Sequence, residues 1–67
     1  MRLRINGEWR DCSDDLTVAH LLEELEIEQT RGVAIARNDH VVTRSTWSEV
    51  ELEEDDHIEI IRATQGG

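Results

Sequence analysis

This sequence predicts an α+β fold in which a single helix covers one face of a mixed sheet of four to five strands. Three observations carry that expectation. Alternating apolar segments flank two turn-forming pairs, Asn6-Gly7 and Asn38-Asp39; one stretch has a clean helical apolar stripe; and a final strand-like run, "HIEII", precedes the last residues.

Leu3 and Ile5 alternate with Arg2, Arg4 and Asn6, the period-2 pattern of a strand with one buried face. Asn6-Gly7 suits a two-residue type I′ turn, because both residues tolerate positive φ, and Glu8–Cys12 is then the returning strand. Thr17 is the expected N-cap of the helix, with Leu16 and Leu21 as a hydrophobic staple. Val18, Leu21, Leu22 and Leu25 recur at i, i+3, i+4 and i+7, which leaves Glu23 and Glu24 for water. A loop follows over 26–32.

Asn38-Asp39 joins "VAIAR" to "HVV" in a second hairpin, with Val33 and Ile35 on one face and Ala34 and Ala36 on the other. Residues 44–54 read as irregular and polar, anchored by Trp47 and Leu52. The last strand, 57–62, buries Ile58 and Ile60 by alternation and turns Glu59 and Ile61 outward. A right-handed crossover through the helix makes it a parallel neighbour of the first strand. That is the β-grasp, or ubiquitin-like, arrangement. Residues 1–67 then form one domain, whose central strand leads into a flexible tail, 63–67.

Sixteen acidic residues against seven basic ones, a net charge of −9, disfavour nucleic acid and anionic membrane surfaces as partners. No window approaches the roughly 18 apolar residues of a membrane span, and the N-terminus has no signal-like apolar region. The expectation is a cytoplasmic protein, monomeric when free. Cys12 is the one cysteine, which excludes an internal disulfide and the four thiolates of a plant-type iron–sulfur cluster. Histidines 20, 40 and 57 lack metal-ligand spacing, and there is no phosphate loop and no nucleophile with a convincing base. The chain is therefore expected to bind no cofactor and to perform no catalysis of its own.

Cys12 reads as a small, mostly buried thiol on a strand, and Trp47 as a core plug. Trp9 stays open between core plug and partner anchor. The acidic run Glu49 to Asp56 is either solvated loop or a docking patch for a basic groove, with Glu53 and Glu54 as its candidates. Ile61 beside Ala34 and Ala36 would form a shallow apolar patch on the open sheet face, a second candidate partner surface.

Two of the four glycines are the last two residues. Five extended residues beyond the last strand reach roughly 17 Å, enough to enter another protein's active site. A slot that aligns a terminal carboxylate for adenylation has to admit a chain without Cβ atoms. Gly66 and Gly67 read as such a handle, with the reacting group at its end and the chemistry in the partner.

With the "NG" turn, "LTVAHLLEEL", "GVAIARNDHVVTRSTW" and "HIEIIRATQGG" in this order over essentially the whole chain, the sequence resembles the ThiS family, the ubiquitin-like sulfur carriers of thiamine biosynthesis. The resemblance implies that a ThiF-type enzyme adenylates Gly67, consuming ATP in the partner. Sulfur derived from cysteine through a desulfurase converts the adenylate to a thiocarboxylate, and thiazole synthase takes the sulfur. Gly66 would thread the partner's channel. Thr43 stands where the family commonly has proline, and "EEDDHIEI" lacks the glycine usual before the last strand. Three other readings stay open: a carrier for the molybdenum-cofactor pathway, a modifier conjugated through Gly67, and a non-covalent acidic binding module.

Overall fold

The computed structural model of the chain describes residues 1–63. In chain order it has β1 (Arg2–Ile5), β2 (Glu8–Asp11), α1 (Val18–Glu24), β3 (Val33–Arg37), β4 (His40–Val42), a 3₁₀ turn (Arg44–Thr46) and β5 (His57–Arg62). The strands form one five-stranded sheet in the order β2-β1-β5-β3-β4, with β5 parallel to β1 and antiparallel to β3. This is the mixed sheet and single covering helix that the sequence predicts, with β5 at the centre.

Both hairpin turns have the expected backbone. Asn6 and Gly7 have φ of 50° and 84°, and Asn38 and Asp39 have 49° and 69°, the paired positive values of type I′ turns. The asparagines do a second job that the pattern does not reveal. Asn6 Oδ1 accepts from Ile60 N (2.8 Å), and Asn38 Oδ1 accepts from His57 N (2.9 Å). Each turn is thereby tied to the central strand.

Thr17 caps α1, its hydroxyl accepting from His20 N at 3.2 Å. The next orphan amides are satisfied from elsewhere: Val18 N donates to Val50 O (3.1 Å) and Ala19 N to Trp47 O (3.0 Å). The irregular 44–54 segment thus closes the start of the helix. The other end is a Schellman cap. Ile27 N donates to Leu22 O and Glu26 N to Glu23 O, both at 2.9 Å, with Glu26 in the left-handed region at φ 61°.

Leu3, Ile5, Val33, Ile35 and Ile58 on one sheet face pack with Val18, Leu21 and Leu22 of α1, closed by Leu16, Trp47 and Leu52. Each such side chain contributes about 1.5–3 kcal/mol by leaving water. Trp47 is structural, as expected: its indole N–H donates to Val42 O (3.0 Å), and the Arg44 guanidinium lies 4.5 Å over its ring. Arg44 also donates to Thr30 O and Val33 O, clamping the loop after α1 onto the 3₁₀ turn.

Three expectations need correction. Ile60 is only partly buried, because it lies beyond the part of the sheet that the two-turn helix covers. The returning strand ends at Asp11, so Cys12 flanks it and is half-buried. Asp56 is buried, although it closes what reads as a solvated acidic run. Its carboxylate accepts from Arg37 Nε (2.7 Å), Asn38 Nδ2 (3.0 Å) and Glu53 N (2.8 Å), which locks the turn before β5. The missing glycine leaves Asp55 at φ 68° in that turn. Thr43, by contrast, sits at φ −60°, where proline would also fit.

Candidate functional site

The face of the sheet away from α1 follows from strand alternation. Register places Ala34 opposite Ile61, and Ala36 opposite both Glu59 and Val41. In the β2–β1–β5 half of the same face Arg4 stands opposite both Trp9 and His57. Trp9, Val41 and Ile61 are 46%, 80% and 54% exposed, and they are the exposed large hydrophobics among the described residues. All three lie on this face.

The face has two ends. Near the start of β5, Trp9 is enclosed by charge: the Arg2 guanidinium lies 4.2 Å and that of Arg4 5.8 Å from its ring centroid, and His57 meets it edge-on at 5.9 Å. Trp9 therefore belongs to a surface cluster and not to the core. Near the end of β5, Ile61 lies beside the small Ala34, with partly buried Ala36 next along β3. Ile61 is two residues before Ala63, whose N–H donates to Gly32 O (2.8 Å). The patch adjoins Ala63, the last described residue.

The acidic candidates lie elsewhere. Glu53 and Glu54 precede β5, so the four residue steps from His57 to Ile61, about 13 Å, separate them from the apolar patch. The structure does not bring the two candidate surfaces together. Glu54 also has a structural task, since its carboxylate accepts from Arg2 N at 2.6 Å. Asp55 pairs with the Arg2 guanidinium (3.0 Å), and Glu53 approaches that of Arg37 (3.7 Å). Gly66 and Gly67, the expected reacting end, lie outside the described residues.

Cys12 is poorly disposed to act as a nucleophile. Burial pushes its thiol up, and the nearby Glu24 carboxylate adds to that. Among the described residues no group of three His, Cys, Asp or Glu side chains could hold a metal. No helix among them is long and apolar enough to cross a membrane.

The arrangement thus leaves an exposed apolar patch near Ala63, the last described residue. A ThiS family model matches residues 3–67. The chain belongs to the ThiS family. Over its full length it is 31% identical to the sulfur carrier protein ThiS of Escherichia coli K12, and the match covers 100% of both proteins. It is also 40% identical to a thiazole synthase of Paramagnetospirillum magneticum and 37% to one of Magnetococcus marinus. In both cases the whole chain is matched but it spans 20% of the relative's length. Its fold is that of the crystal structure of the Geobacter metallireducens thiamine biosynthesis protein ThiS, with a TM-score of 0.87, 26% identity and full coverage of both chains. A solution structure of a thiamine biosynthesis protein from that organism has a TM-score of 0.81 and 28% identity, with 88% of its chain covered.

Proposed function

We propose that this chain is a sulfur carrier protein of thiamine biosynthesis and that it carries the sulfur as a thiocarboxylate on Gly67. The observation that carries the reading is the match to the E. coli carrier, end to end in both proteins. A ThiF-type partner would adenylate the Gly67 carboxylate with ATP, releasing pyrophosphate. A persulfide, charged from cysteine through a desulfurase, would then form the C–S bond as the C–O bond to AMP breaks, and a thiol reductant would cleave the resulting S–S bond to leave the thiocarboxylate. The carrier's own residues would supply recognition and delivery. Ile61, Ala34 and Ala36 would seat the partner beside the root of the tail, and Gly66 would let the backbone pass closely through the partner's channel.

Thiazole synthase is the proposed sulfur acceptor. Support comes from the two thiazole synthases that contain a stretch similar to this whole chain, since modules joined in one polypeptide commonly act on each other.

With ATP, the activating enzyme and a sulfur source, the intact mass should rise by the difference between one sulfur and one oxygen, with the change mapping to Gly67. Deleting Gly67 should abolish the gain and leave unfolding unchanged, whereas Cys12→Ser should still be sulfurated. A truncated chain that gains sulfur, or a folded Cys12→Ser variant that does not, would overturn the tail as the carrier.

A further inference from the structure

An activated carboxyl is attacked by any accessible amine or thiolate, so a carrier that bears one is exposed to its own nucleophiles. All seven basic residues of this chain are arginine, and lysine and tyrosine are both absent from its sequence. Guanidinium stays protonated in proteins and does not compete as a nucleophile. Attack by one of the three imidazoles would give an acyl imidazole that water cleaves, leaving no lasting adduct. Serine and threonine hydroxyls stay un-ionised and compete no better than water, so the Met1 amine and the Cys12 thiol are the remaining strong acceptors.

The fold handles both. Met1 N donates to Cys12 O (2.6 Å) and Asp14 Oδ1 (2.8 Å), while Cys12 N donates back to Met1 O (2.7 Å). Cys12 packs partly buried against the core. The hydrogen bond to the Asp14 carboxylate holds the amine above its ordinary range, and burial does the same for the thiol, so both favour the protonated, unreactive form. Position matters more. Arg4 pairs with His57 in the parallel β1–β5 register, so Met1 and Ala63 lie at opposite ends of the sheet, about 25–30 Å apart. Four residues beyond Ala63 span at most about 14 Å. Around Ala63 the basic positions are Arg62, next to it, Arg31, next to the Gly32 whose carbonyl accepts from Ala63 N, and Arg44, which donates to Thr30 O and Val33 O.

We propose that the folded chain is built as a non-acceptor. Arginine in place of lysine around the tail, with the one thiol and the terminal amine held at the far end of the sheet, keeps an activated C-terminal carboxyl from acylating its own carrier, so that it persists for an external sulfur nucleophile.

The proposal rests on the thiocarboxylate reading, but its test does not need the activating enzyme. The 67-residue chain is released from an intein fusion by 2-mercaptoethanesulfonate, which leaves Gly67 as a thioester, and the folded protein is followed by intact mass and denaturing gel. In self-acylation by an amine the nitrogen forms the amide bond as the C–S bond breaks, and the thiol leaves with the amine's proton; attack by the Cys12 thiolate would exchange one C–S bond for another. The wild type should return to the free acid by hydrolysis alone. At low protein concentration, Arg62→Lys and Arg31→Lys, which keep the charge, should yield internal lactam at least about tenfold faster than the wild type, as expected for a nucleophile within reach. Arg2→Lys, at the far end of the sheet, should behave as the wild type. The proposal is overturned if the wild type self-acylates as fast as the root variants, or if the root variants only hydrolyse. It is equally overturned if Arg2→Lys reacts as fast as Arg62→Lys, because position in the fold would then be irrelevant.

Discussion

Ile58 and Ile61 lie on the same strand, three residues apart, and are 1% and 54% exposed. The same contrast runs across the sheet, where Ile35 is buried under α1 while its neighbour Ala36 belongs to the opposite face with exposed Val41. The two faces are made from the same strands and the same backbone bonds. They differ because one helix can cover only one of them, so the covered face concentrates stability and the open face leaves apolar side chains exposed. Neighbouring positions should then report on different properties.

The largest effect is expected under the helix. Ile35→Ala should cost about 2–5 kcal/mol. That is a large share of the roughly 3–10 kcal/mol available to a domain of this size. A urea titration followed by Trp47 fluorescence measures it. Ala36→Arg, one residue on, should shift stability by no more than about 0.5 kcal/mol. Equal losses at the two positions would break the division into a stabilising and a docking face.

Next in size is the edge of the covered face, where Asp56 ties Arg37, Asn38 and the Glu53 amide together. Asp56→Ala should cost about 2–3 kcal/mol, mostly by leaving the Arg37 and amide donors without an acceptor. Burial alone would raise the Asp56 pKa, but its hydrogen bonds and the Arg37 charge outweigh that and hold the carboxyl below its ordinary range. A depressed folded-state pKa gives stability that is fully present above the ordinary aspartate value, about 3.9, and is lost as pH falls through the folded value. Below about pH 4 the wild type should therefore lose stability more steeply than Asp56→Asn. Parallel curves would remove Asp56 from the account of acid unfolding.

A smaller effect tests the cover itself. Thr17→Ala removes the acceptor for His20 N and should cost about 1 kcal/mol in the same titration. Val50 O and Trp47 O still accept the next two amides, so the helix should persist. Loss of cooperative unfolding would show that the hydroxyl, and not the 44–54 segment, organises the helix start.

The smallest stability change, within about 0.5 kcal/mol, is expected for Ile61→Asp on the open face. Its effect should appear in docking: the variant should unfold cooperatively yet be adenylated slowly by the activating enzyme. Glu53→Arg should slow that association only in so far as long-range charge steers it, an effect that fades with added salt. Glu54→Arg is a poorer probe, because it also removes the acceptor for Arg2 N. Normal adenylation of Ile61→Asp would move the docking surface off this face.

Much of this contrast was legible in the sequence because the interactions that produce it are local. Period-2 alternation assigns side chains to faces, paired positive-φ residues fix hairpin register, and the i, i+3, i+4 stripe orients the helix; each is decided within a few residues. The diglycine end and the lack of lysine are likewise properties of the sequence itself. Tertiary structure alone decided which members of those patterns are used. Asp56 is buried while Glu53 and Glu54 beside it are exposed, because Arg37 and Asn38 arrive from a hairpin nearly twenty residues earlier. Trp9 lies outside the core because the arginines of β1 and His57 of β5 surround it on the uncovered face, and Ile60 is half-covered because a helix of seven residues ends before it can reach that far. Those outcomes depend on contacts between segments distant along the chain, and the energy of such contacts is set by which groups meet after folding, a quantity that no local pattern contains.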